Sequence, residues 1–272
     1  MATDVLIIGG GITGAGVLLA CARRGLSAVL LERGRPGGVT TAASSGLIHG
    51  GLRYLPYDAP VTLECCQESG WILERFRPLL RRQPFLWPSF EGGHGVDTAE
   101  TLLELYDELQ PLKGGRPHVR LTAAEARVLV PALSGDGLRG GVTFDEWAVD
   151  ARALVAAVIA ETSHGETRVL KGEVTAFDME GGRVTGARLA DGTALAARVV
   201  INAAGPWADR VAALAGGRAP LTLRKGVHLV LPGDHGPWAV LFADETGRTV
   251  GLYPRPGTAW VGPTDDAFTG DP

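Results

Sequence analysis

The feature that most constrains the fold is a glycine-rich turn near the amino terminus, set between two short apolar runs. Residues 5–8 predict a buried strand, residues 12–24 a helix with small and apolar residues on its inner face, and residues 27–31 a second strand. The turn itself, Gly-Gly-Gly-Ile-Thr-Gly at residues 9–14, satisfies G-x-G-x-x-G. This order predicts a Rossmann-like α/β unit whose parallel sheet is covered on both faces.

Each glycine of the motif has a physical role in binding a dinucleotide. Gly9 permits the tight turn, Gly11 lets the backbone approach a pyrophosphate, and Gly14 allows the helix to pack closely on the strand. The helix N-terminus then offers N–H groups and the positive end of its dipole to the phosphates. Glu32, at the end of the second strand, can accept a hydrogen bond from a ribose hydroxyl. The alternative is a glycine turn without a ligand, and the motif alone does not choose between NAD and FAD.

The rest of the chain is helical at first and then rich in strands. Helices are predicted over residues 61–80, 98–112, 122–129 and 150–162, with a capping box at Thr122 and Glu125 and an N-cap at Asp150. Residues 167–203 predict a β-meander, with glycine turns at 180–182 and 191–192. Further strands are predicted at residues 222–231, 239–243, 249–253 and 259–261.

Composition and charge exclude several classes of function. A formal net charge of −4 gives no positive field for a nucleic acid, so we expect no nucleic-acid partner. The three cysteines make no disulfide framework, and the cysteines and histidines lack the spacing of a metal site, so no metal is expected. With no visible signal peptide and no apolar stretch of membrane-spanning length, we expect a cytoplasmic protein. Peripheral attachment to the inner face of the membrane stays open.

Four segments, in order along the chain, give the sequence a specific resemblance. They are Ser44 to Leu55 (SSGLIHGGLRYL), Ile201 to Trp207 (INAAGPW), Arg224 to His228 (RKGVH) and Gly262 to Asp265 (GPTD). Together with the glycine motif, they resemble the FAD-dependent glycerol-3-phosphate dehydrogenases over essentially the whole chain. The β-meander before the final strand also favours FAD over NAD.

The resemblance implies where the cofactor is held. By this likeness Ser44, Ser45 and His49 lie along the flavin, and Val174 meets the adenine through its main chain. Residues 204–205, Ala204 and Gly205, approach the cofactor closely. The loop chemistry agrees, because small residues let backbone donors reach a flavin.

Five side chains are candidates for work on the substrate. The resemblance places His228 facing substrate as the general base, and we predict that it lies inside an apolar strand. We expect His49 to act through orientation or through contact with the flavin, and Tyr54 to project its hydroxyl group near the flavin. Arg53 and Arg255 are candidates for holding a phosphate, since the planar fork of arginine matches it. The alternative for each histidine is a structural role in which its hydrogen bonds are made within the protein. The alternative for each arginine is a solvent-exposed side chain on a loop.

The fold implied is a Rossmann-like FAD-binding α/β domain with an inserted, mixed, β-rich substrate domain. Residues 1–75 and 143–218 would form the FAD-binding domain, and residues 76–142 and 219–272 an incomplete substrate domain. The family's chain continues past residue 272, so we expect this chain to be its N-terminal part and, by itself, a poor enzyme.

The reaction implied is oxidation of sn-glycerol 3-phosphate to dihydroxyacetone phosphate, with hydride transfer to flavin N5. The partners would be this small phosphorylated substrate and an electron acceptor, quinone or oxygen. Two alternatives stay open. One is a related flavoprotein oxidase acting on an amine or a hydroxy acid, and the other is a truncated, non-catalytic fragment.

Overall fold

The computed structural model describes residues 2–163, 165–243 and 248–272 and divides the chain into two compact units. The first unit holds residues 1–44, 150–224 and 267–272, and the second holds residues 45–149 and 225–266. These bounds differ from the domains predicted from sequence, because residues 45–75 and 143–149 group with the second unit and residues 219–224 and 267–272 with the first. The reason is strand pairing: residues 47–48 and 80–90 both pair with residues 138–149 in a single sheet.

The helices and strands follow in chain order. The helices are α1 (Ile12–Arg23), α2 (Ala59–Phe76), α3 (Val96–Asp107), α4 (Gln110–Lys113), α5 (Ala123–Leu129), α6 (Ala151–Ala160) and α7 (Ala208–Ala213), with 3-10 turns at Leu52–Tyr54, Arg77–Leu79 and Gly205–Trp207. The strands are β1 (Thr3–Ile8), β2 (Ala28–Glu32), β3 (Leu47–Ile48), β4 (Leu80–Phe90), β5 (Val119–Thr122), β6 (Leu138–Val149), β7 (Thr167–Lys171), β8 (Val174–Glu180), β9 (Arg183–Leu189), β10 (Ala194–Asn202), β11 (Arg224–Lys225), β12 (Leu229–Pro232), β13 (Ala239–Ala243), β14 (Thr249–Arg255), β15 (Thr258–Gly262) and β16 (Asp266–Ala267).

In the first unit, the described strands form a sheet in the order β7-β2-β1-β10-β9-β8. Strands β7, β2, β1 and β10 are parallel, and β9 and β8 continue as the antiparallel meander. Val5 and Ile7 pack on Leu18 of α1, whereas Leu6 packs on Ala187 of the meander. Burial on both faces explains why β1 is a continuous apolar run rather than an alternating one.

In the second unit, the described strands form a mixed sheet in the order β12-β15-β14-β13-β4-β6-β3, with β5 pairing β6 at one end. Helices α2 and α3 cover one face around the stacked rings of Phe85 and Phe144, whose centroids are 4.9 Å apart. Helix α5 covers the other face through Ala126 against Leu86. This arrangement confirms the mixed, β-rich second part predicted from sequence.

Several local predictions, of helix caps and of turns, are confirmed. The Asp150 side chain accepts hydrogen bonds from the backbone N–H groups of Arg152 and Ala153 at the start of α6. Thr122 and Glu125 form the full capping box of α5. The β-meander has the predicted turns, with Gly181, Gly182 and Gly192 at positive φ. Such signals succeed because the residues that make them are neighbours in sequence.

Other predictions of secondary structure are wrong, and proline or glycine explains each of them. Helix α2 ends at Phe76 rather than Leu80, because Pro78 lacks a backbone N–H and restricts the residue before it. The helix predicted over residues 98–112 ends at Asp107, and α4 is a separate turn containing Pro111. The strand predicted over residues 222–231 is interrupted at residues 226–228, and the interruption begins at Gly226.

The two longest strands of the second unit are missing from the sequence prediction. Strand β4 contains Pro84 and Pro88, and proline within a run argues against a strand. Strand β6 contains Gly140 and Gly141, which weaken a strand pattern. In the described segments, no helix is long and apolar enough to cross a bilayer.

Candidate active site

Two glycines of the turn between β1 and α1, Gly9 and Gly14, are packed against backbone atoms that leave no space for side chains. Gly9 has φ of 109°, and a Cβ atom there would lie 2.4 Å from the carbonyl oxygen of Ala203 on the neighbouring chain segment. A Cβ atom on Gly14 would lie 1.9 Å from the carbonyl oxygen of Gly9. The turn is therefore glycine-dependent at both positions, by conformation at Gly9 and by close approach at Gly14.

Gly11 differs from its neighbours because the space in front of it is open. Its backbone is extended, and the nearest atom to a Cβ there would be Thr41 Oγ1 at 3.5 Å. Gly11 is the N-cap of α1 without a side-chain cap, and the first turn holds no acidic residue. The Ile12 N–H donates to Thr41 Oγ1 over 3.2 Å. The positive end of the helix dipole thus meets no protein anion in its first turn, which suits a phosphate.

Glu32 ties the turn to the end of β2. Its Oε2 accepts from the Gly10 N–H over 2.8 Å, and its Oε1 accepts from the Gly34 N–H over 2.7 Å. A carboxylate oxygen has two lone pairs, so each can accept one more hydrogen bond. Glu32 is therefore oriented by the backbone and keeps acceptor capacity for a hydroxyl.

A cleft of about 510 Å³ opens in front of these groups within the first unit, and we call it the glycine cleft. Its walls include the backbone around Val174, Ala204 and Gly205, as well as the glycine turn. On one wall the Arg33 guanidinium lies 4.4 Å from the ring centre of Trp207 and 3.2 Å from a carboxylate oxygen of Glu173. The volume lies in the range of small-molecule and cofactor sites.

A second group of polar side chains lies in the second unit, and we call it the His228 cluster: Ser45, His228, Tyr253, Arg255 and Trp260. Ser45 Oγ lies 2.9 Å from His228 Nε2. The His228 ring lies 5.3 Å from the ring of Trp260 and 6.3 Å from that of Tyr253, centroid to centroid. The prediction that His228 lies inside a strand is wrong, since β12 begins one residue later and His228 is in the irregular segment before it.

Arg255 is fixed within the cluster by two contacts. Its Nη2 donates to the Ser45 carbonyl oxygen over 2.9 Å, and its guanidinium lies 4.0 Å above the Trp260 ring centre. A Cβ atom on Gly46 would lie 3.0 Å from Arg255 Nη2, so a glycine at positive φ gives the guanidinium its space. The cation is held in a defined position beside the loop of Ser45.

The electrostatics of the cluster favour the neutral forms of His228 and Tyr253 beside the charged guanidinium of Arg255. Burial lowers the pKa of His228 below its ordinary value, and the nearby charge of Arg255 lowers it further. Burial raises the pKa of Tyr253, against the opposing effects of a hydrogen bond with Ser45 and the charge of Arg53. At neutral pH His228 is therefore an uncharged imidazole, which can accept a proton.

The segment of residues 49–54 supplies the other predicted side chains of the second unit. The rings of His49 and Tyr54 lie 6.4 Å apart, and the Arg53 guanidinium lies 5.1 Å from the Tyr54 ring centre. Removal of water by the surrounding protein lowers the pKa of His49; Arg53 and Lys113 lower it further, while Glu146 opposes them. Arg53 itself is exposed.

The predicted site residues therefore fall into two groups, one in each unit. The glycine cleft is lined by six of the residues predicted to hold the dinucleotide: Gly9, Gly11, Glu32, Val174, Ala204 and Gly205. Gly14 does not line the cleft and packs against the Gly9 carbonyl oxygen. Ser45, His228 and Arg255 meet in the second unit, which also holds His49, Arg53 and Tyr54. Ser44 belongs to the first unit, where its hydroxyl donates to the Thr41 carbonyl oxygen over 2.9 Å.

The sequence prediction missed three members of these sites. Tyr253 and Trp260 pack around His228, and Thr41 receives the first N–H of α1. Alternation along β14 and β15 puts Tyr253 opposite Trp260 in register, but that pairing becomes visible only once the sheet is known. A threonine in a glycine-rich loop carries no sequence signal of its own.

Comparison with known proteins identifies the class to which this fold and these sites belong. Residues 4–272 match the family model DAO, FAD dependent oxidoreductase. The chain belongs to this family, whose members are FAD-dependent oxidoreductases.

Within the family, the chain is similar to particular enzymes. It is 33% identical to the aerobic glycerol-3-phosphate dehydrogenase of Staphylococcus epidermidis and 32% identical to that of Staphylococcus aureus, in each case over 97% of this chain and 50% of the relative. The chain thus spans about half the length of the curated relatives it matches.

Solved structures agree with this likeness. The glycerol-3-phosphate dehydrogenase of Bacillus halodurans complexed with FAD has a TM-score of 0.78 at 25% identity, covering 99% of this chain and 49% of that one. The fold is also that of L-alpha-glycerophosphate oxidase from Mycoplasma pneumoniae with FAD bound, with a TM-score of 0.77 at 22% identity, over 99% of this chain and 73% of that one.

The residues of the glycine cleft fit FAD. A diphosphate needs backbone donors and a close approach, which the open face of Gly11 and the N-terminus of α1 offer. A ribose needs an acceptor, which Glu32 retains on both oxygens. An adenine needs an apolar or planar wall, and the cleft presents Val174 and the stacked pair of Arg33 and Trp207.

Proposed function

We propose that this chain provides the glycine cleft and the His228 cluster of an enzyme that oxidises sn-glycerol 3-phosphate to dihydroxyacetone phosphate with FAD. The observation that carries the proposal is the His228 cluster, in which a neutral histidine and a fixed arginine lie around one loop. The relatives named above, at 33% identity, support the choice of substrate. Bound FAD supplies the redox chemistry by taking the hydride and its two electrons at N5.

His228 is the proposed base. Oxidation of a secondary alcohol removes a hydride from the carbon and a proton from its hydroxyl group, so the protein needs a proton acceptor near neutral pH. The lowered pKa of His228 meets that need, and Ser45 Oγ at 2.9 Å demonstrates that an oxygen fits within hydrogen-bonding distance of Nε2. In the proposed role, Nε2 takes the hydroxyl proton, and the neighbouring rings keep the imidazole oriented.

Arg255 and Arg53 are the proposed phosphate ligands, and the 49–54 segment is the proposed wall of the site. The guanidinium of Arg255 is oriented by Ser45 and Trp260 before any substrate arrives, which lowers the entropy lost on binding. Arg53 is exposed and lies against the ring of Tyr54. The proposal also requires an electron acceptor, quinone or oxygen, as the second partner of the enzyme.

Steady-state kinetics of Arg53→Ala and Arg255→Ala with two substrates test the proposal. Both variants should lose about ten- to a hundredfold in kcat/KM with glycerol 3-phosphate, since charge-assisted contacts contribute about 1.5–3 kcal/mol. With glycerol, which has no phosphate, they should change little. Arg139→Ala is the matched control, because Arg139 is an exposed arginine of the same unit that pairs with Glu91.

An equal loss with both substrates would contradict the phosphate role of the arginines. Anaerobic bleaching of the flavin tests the substrate class separately, with glycerol 3-phosphate, an amino acid and a hydroxy acid offered in turn. Bleaching by the amino acid or the hydroxy acid, but not by glycerol 3-phosphate, would replace the proposed substrate with one of those classes.

A further inference from the structure

A buried network of charged and polar side chains lies in the second unit, outside the groups assigned above. Lys113 has none of its surface exposed, and its Nζ donates to Glu146 Oε2 over 2.7 Å and to the Asp145 carbonyl oxygen over 2.5 Å. Tyr106, also fully buried, donates its hydroxyl to Glu146 Oε1 over 2.7 Å. Both carboxylate oxygens of Glu146 are thus committed within the core, and we call Tyr106, Lys113 and Glu146 the Glu146 network.

The Glu146 network ends on the backbone of the 49–54 segment. Glu146 Oε2 also accepts from the Gly50 N–H over 3.0 Å. The Gly50 carbonyl oxygen accepts from Cys66 Sγ over 3.3 Å, and the next carbonyl, that of Gly51, accepts from Thr62 Oγ1 over 3.1 Å. The two residues that follow His49 are therefore bound through three of their backbone groups by buried side chains.

The packing at Gly50 leaves no space for a side chain. A Cβ atom on Gly50 would lie 2.1 Å from the Tyr106 hydroxyl and 2.8 Å from both Cys66 Sγ and Lys113 Cδ. Gly51 follows with φ of 78°, which directs the chain into the 3-10 turn that carries Arg53 and Tyr54. The backbone is thus fixed between His49 on one side and Arg53 on the other.

Stability alone does not explain a buried ion pair of this kind. Taking an ammonium and a carboxylate out of water costs several kcal/mol each, and well-packed apolar residues of similar volume are often as stable or more so. Such a network does, however, fix geometry, since each of its hydrogen bonds has a direction and a length. The negative charge of Glu146 also acts on His49 by raising its pKa against the effect of burial.

We infer that Tyr106, Lys113 and Glu146 are positioning residues that hold the 49–54 segment, with His49, Arg53 and Tyr54, in the geometry that the reaction needs. The functional part of this inference rests on the proposed function, in which those three side chains form part of the substrate site. The structural part is independent of the substrate and is measured separately.

The test compares an apolar replacement of the network with a matched control. The triple variant Tyr106→Phe, Lys113→Met and Glu146→Leu replaces all three polar groups together, so no buried charge is left alone. Tyr106→Phe by itself, which removes one hydroxyl group, is the milder variant if the triple variant does not fold. Asp145→Asn is the control, because it breaks a neighbouring ion-pair group on the same strand, with Arg82 and Arg116, that does not reach the segment.

Two local readouts require no activity. Hydrogen exchange of the peptide over residues 47–54 should speed up at least tenfold in the triple variant, since the Gly50 N–H loses its acceptor, while control peptides from β1 keep their rates. Alkylation of Cys66, located by mass spectrometry, should speed up as well, with buried Cys21 as the internal reference. Asp145→Asn should leave both rates within twofold of the unmodified chain.

The functional readout separates positioning from stability. The triple variant should keep a melting temperature close to that of the unmodified chain and still lose tenfold or more in the rate of flavin reduction at saturating substrate. A folded variant with unchanged exchange at residues 47–54, or with faster exchange and an unchanged reduction rate, would overturn the inference. If glycerol 3-phosphate fails to reduce the flavin of the unmodified chain, the proposed function fails, while the exchange and alkylation rates still decide whether the network holds the segment.

Discussion

Replacing Gly11 with valine should abolish tight FAD binding and leave the apoprotein folded. The expectation depends on the difference between Gly11 and the two other glycines of the motif. Around Gly11 the protein is open, with Thr41 Oγ1 the nearest atom to a Cβ at 3.5 Å, and the extended backbone accepts any residue. A valine side chain therefore enters space that the protein itself does not use.

The size of both effects follows from this geometry. Loss of glycine at the N-cap costs a few tenths of a kcal/mol to about 1 kcal/mol, and reduced freedom of the unfolded chain returns about 0.4–1 kcal/mol. The net change in the free energy of unfolding should stay within about 1 kcal/mol, or about 4 °C in melting temperature for a unit of this size. By contrast, a branched side chain that displaces the diphosphate from the N-terminus of α1 removes charge-assisted hydrogen bonds that contribute about 1.5–3 kcal/mol each, about ten- to a hundredfold in Kd for each bond lost.

Titration of the apoprotein with FAD, followed by flavin fluorescence, measures the affinity, and thermal unfolding of the same sample measures stability. Gly16→Val is the matched control, since Gly16 lies on α1 with nothing within 4 Å of a Cβ atom. It should bind FAD as the unmodified chain does. Equal affinity for FAD in Gly11→Val would refute the assignment of the glycine cleft to the diphosphate, and an unfolded Gly11→Val apoprotein would refute the argument from open space.

Three further predictions follow from single contacts. Gly14→Ala should destabilise the apoprotein by about 1–3 kcal/mol in urea unfolding, because its Cβ would lie 1.9 Å from the Gly9 carbonyl oxygen; an unchanged midpoint would contradict that packing. The pKa of His228 is lowered from its ordinary value of 6.5, so kcat/KM should rise with pH through a midpoint below that value. His228→Gln should remove this limb and His49→Gln should retain it, whereas the reverse pattern would assign the base to His49. Arg116 and Arg82 hold the pKa of Asp145 below 3.8 against the opposing effect of burial, so Asp145 contributes stability above that pH that is lost as the pH falls through the lowered value. Asp145→Asn should flatten the fall in melting temperature between about pH 4 and pH 2, and an identical acid profile would contradict the ion pairs.

Much of the first unit could be predicted from sequence because its signals are local. The strand, turn and helix of residues 3–23 depend on residues that are close in sequence, as does the cap at Asp150. The capping box at Thr122, in the second unit, is local in the same way. The family resemblance supplied FAD, which the glycine motif alone left open. The second unit was harder to predict, because β4 and β6 contain prolines and glycines, which are unfavourable in a strand pattern. These strands are stabilised by pairing with their neighbours in the sheet.

The sequence by itself determined the strand, the glycine turn and the helix at the amino terminus, since φ restrictions and short spacings are properties of the chain, and its family resemblance determined the class of cofactor. Tertiary structure alone decided which side chains meet. Ser45 and His228 are 183 positions apart, and Gly50 and Glu146 are 96 apart; each pair is brought together by the long sheet of the second unit. The partner of a buried carboxylate depends on the register of the strands and on the other side chains in the core. Neither can be predicted from the residues next to the carboxylate in sequence.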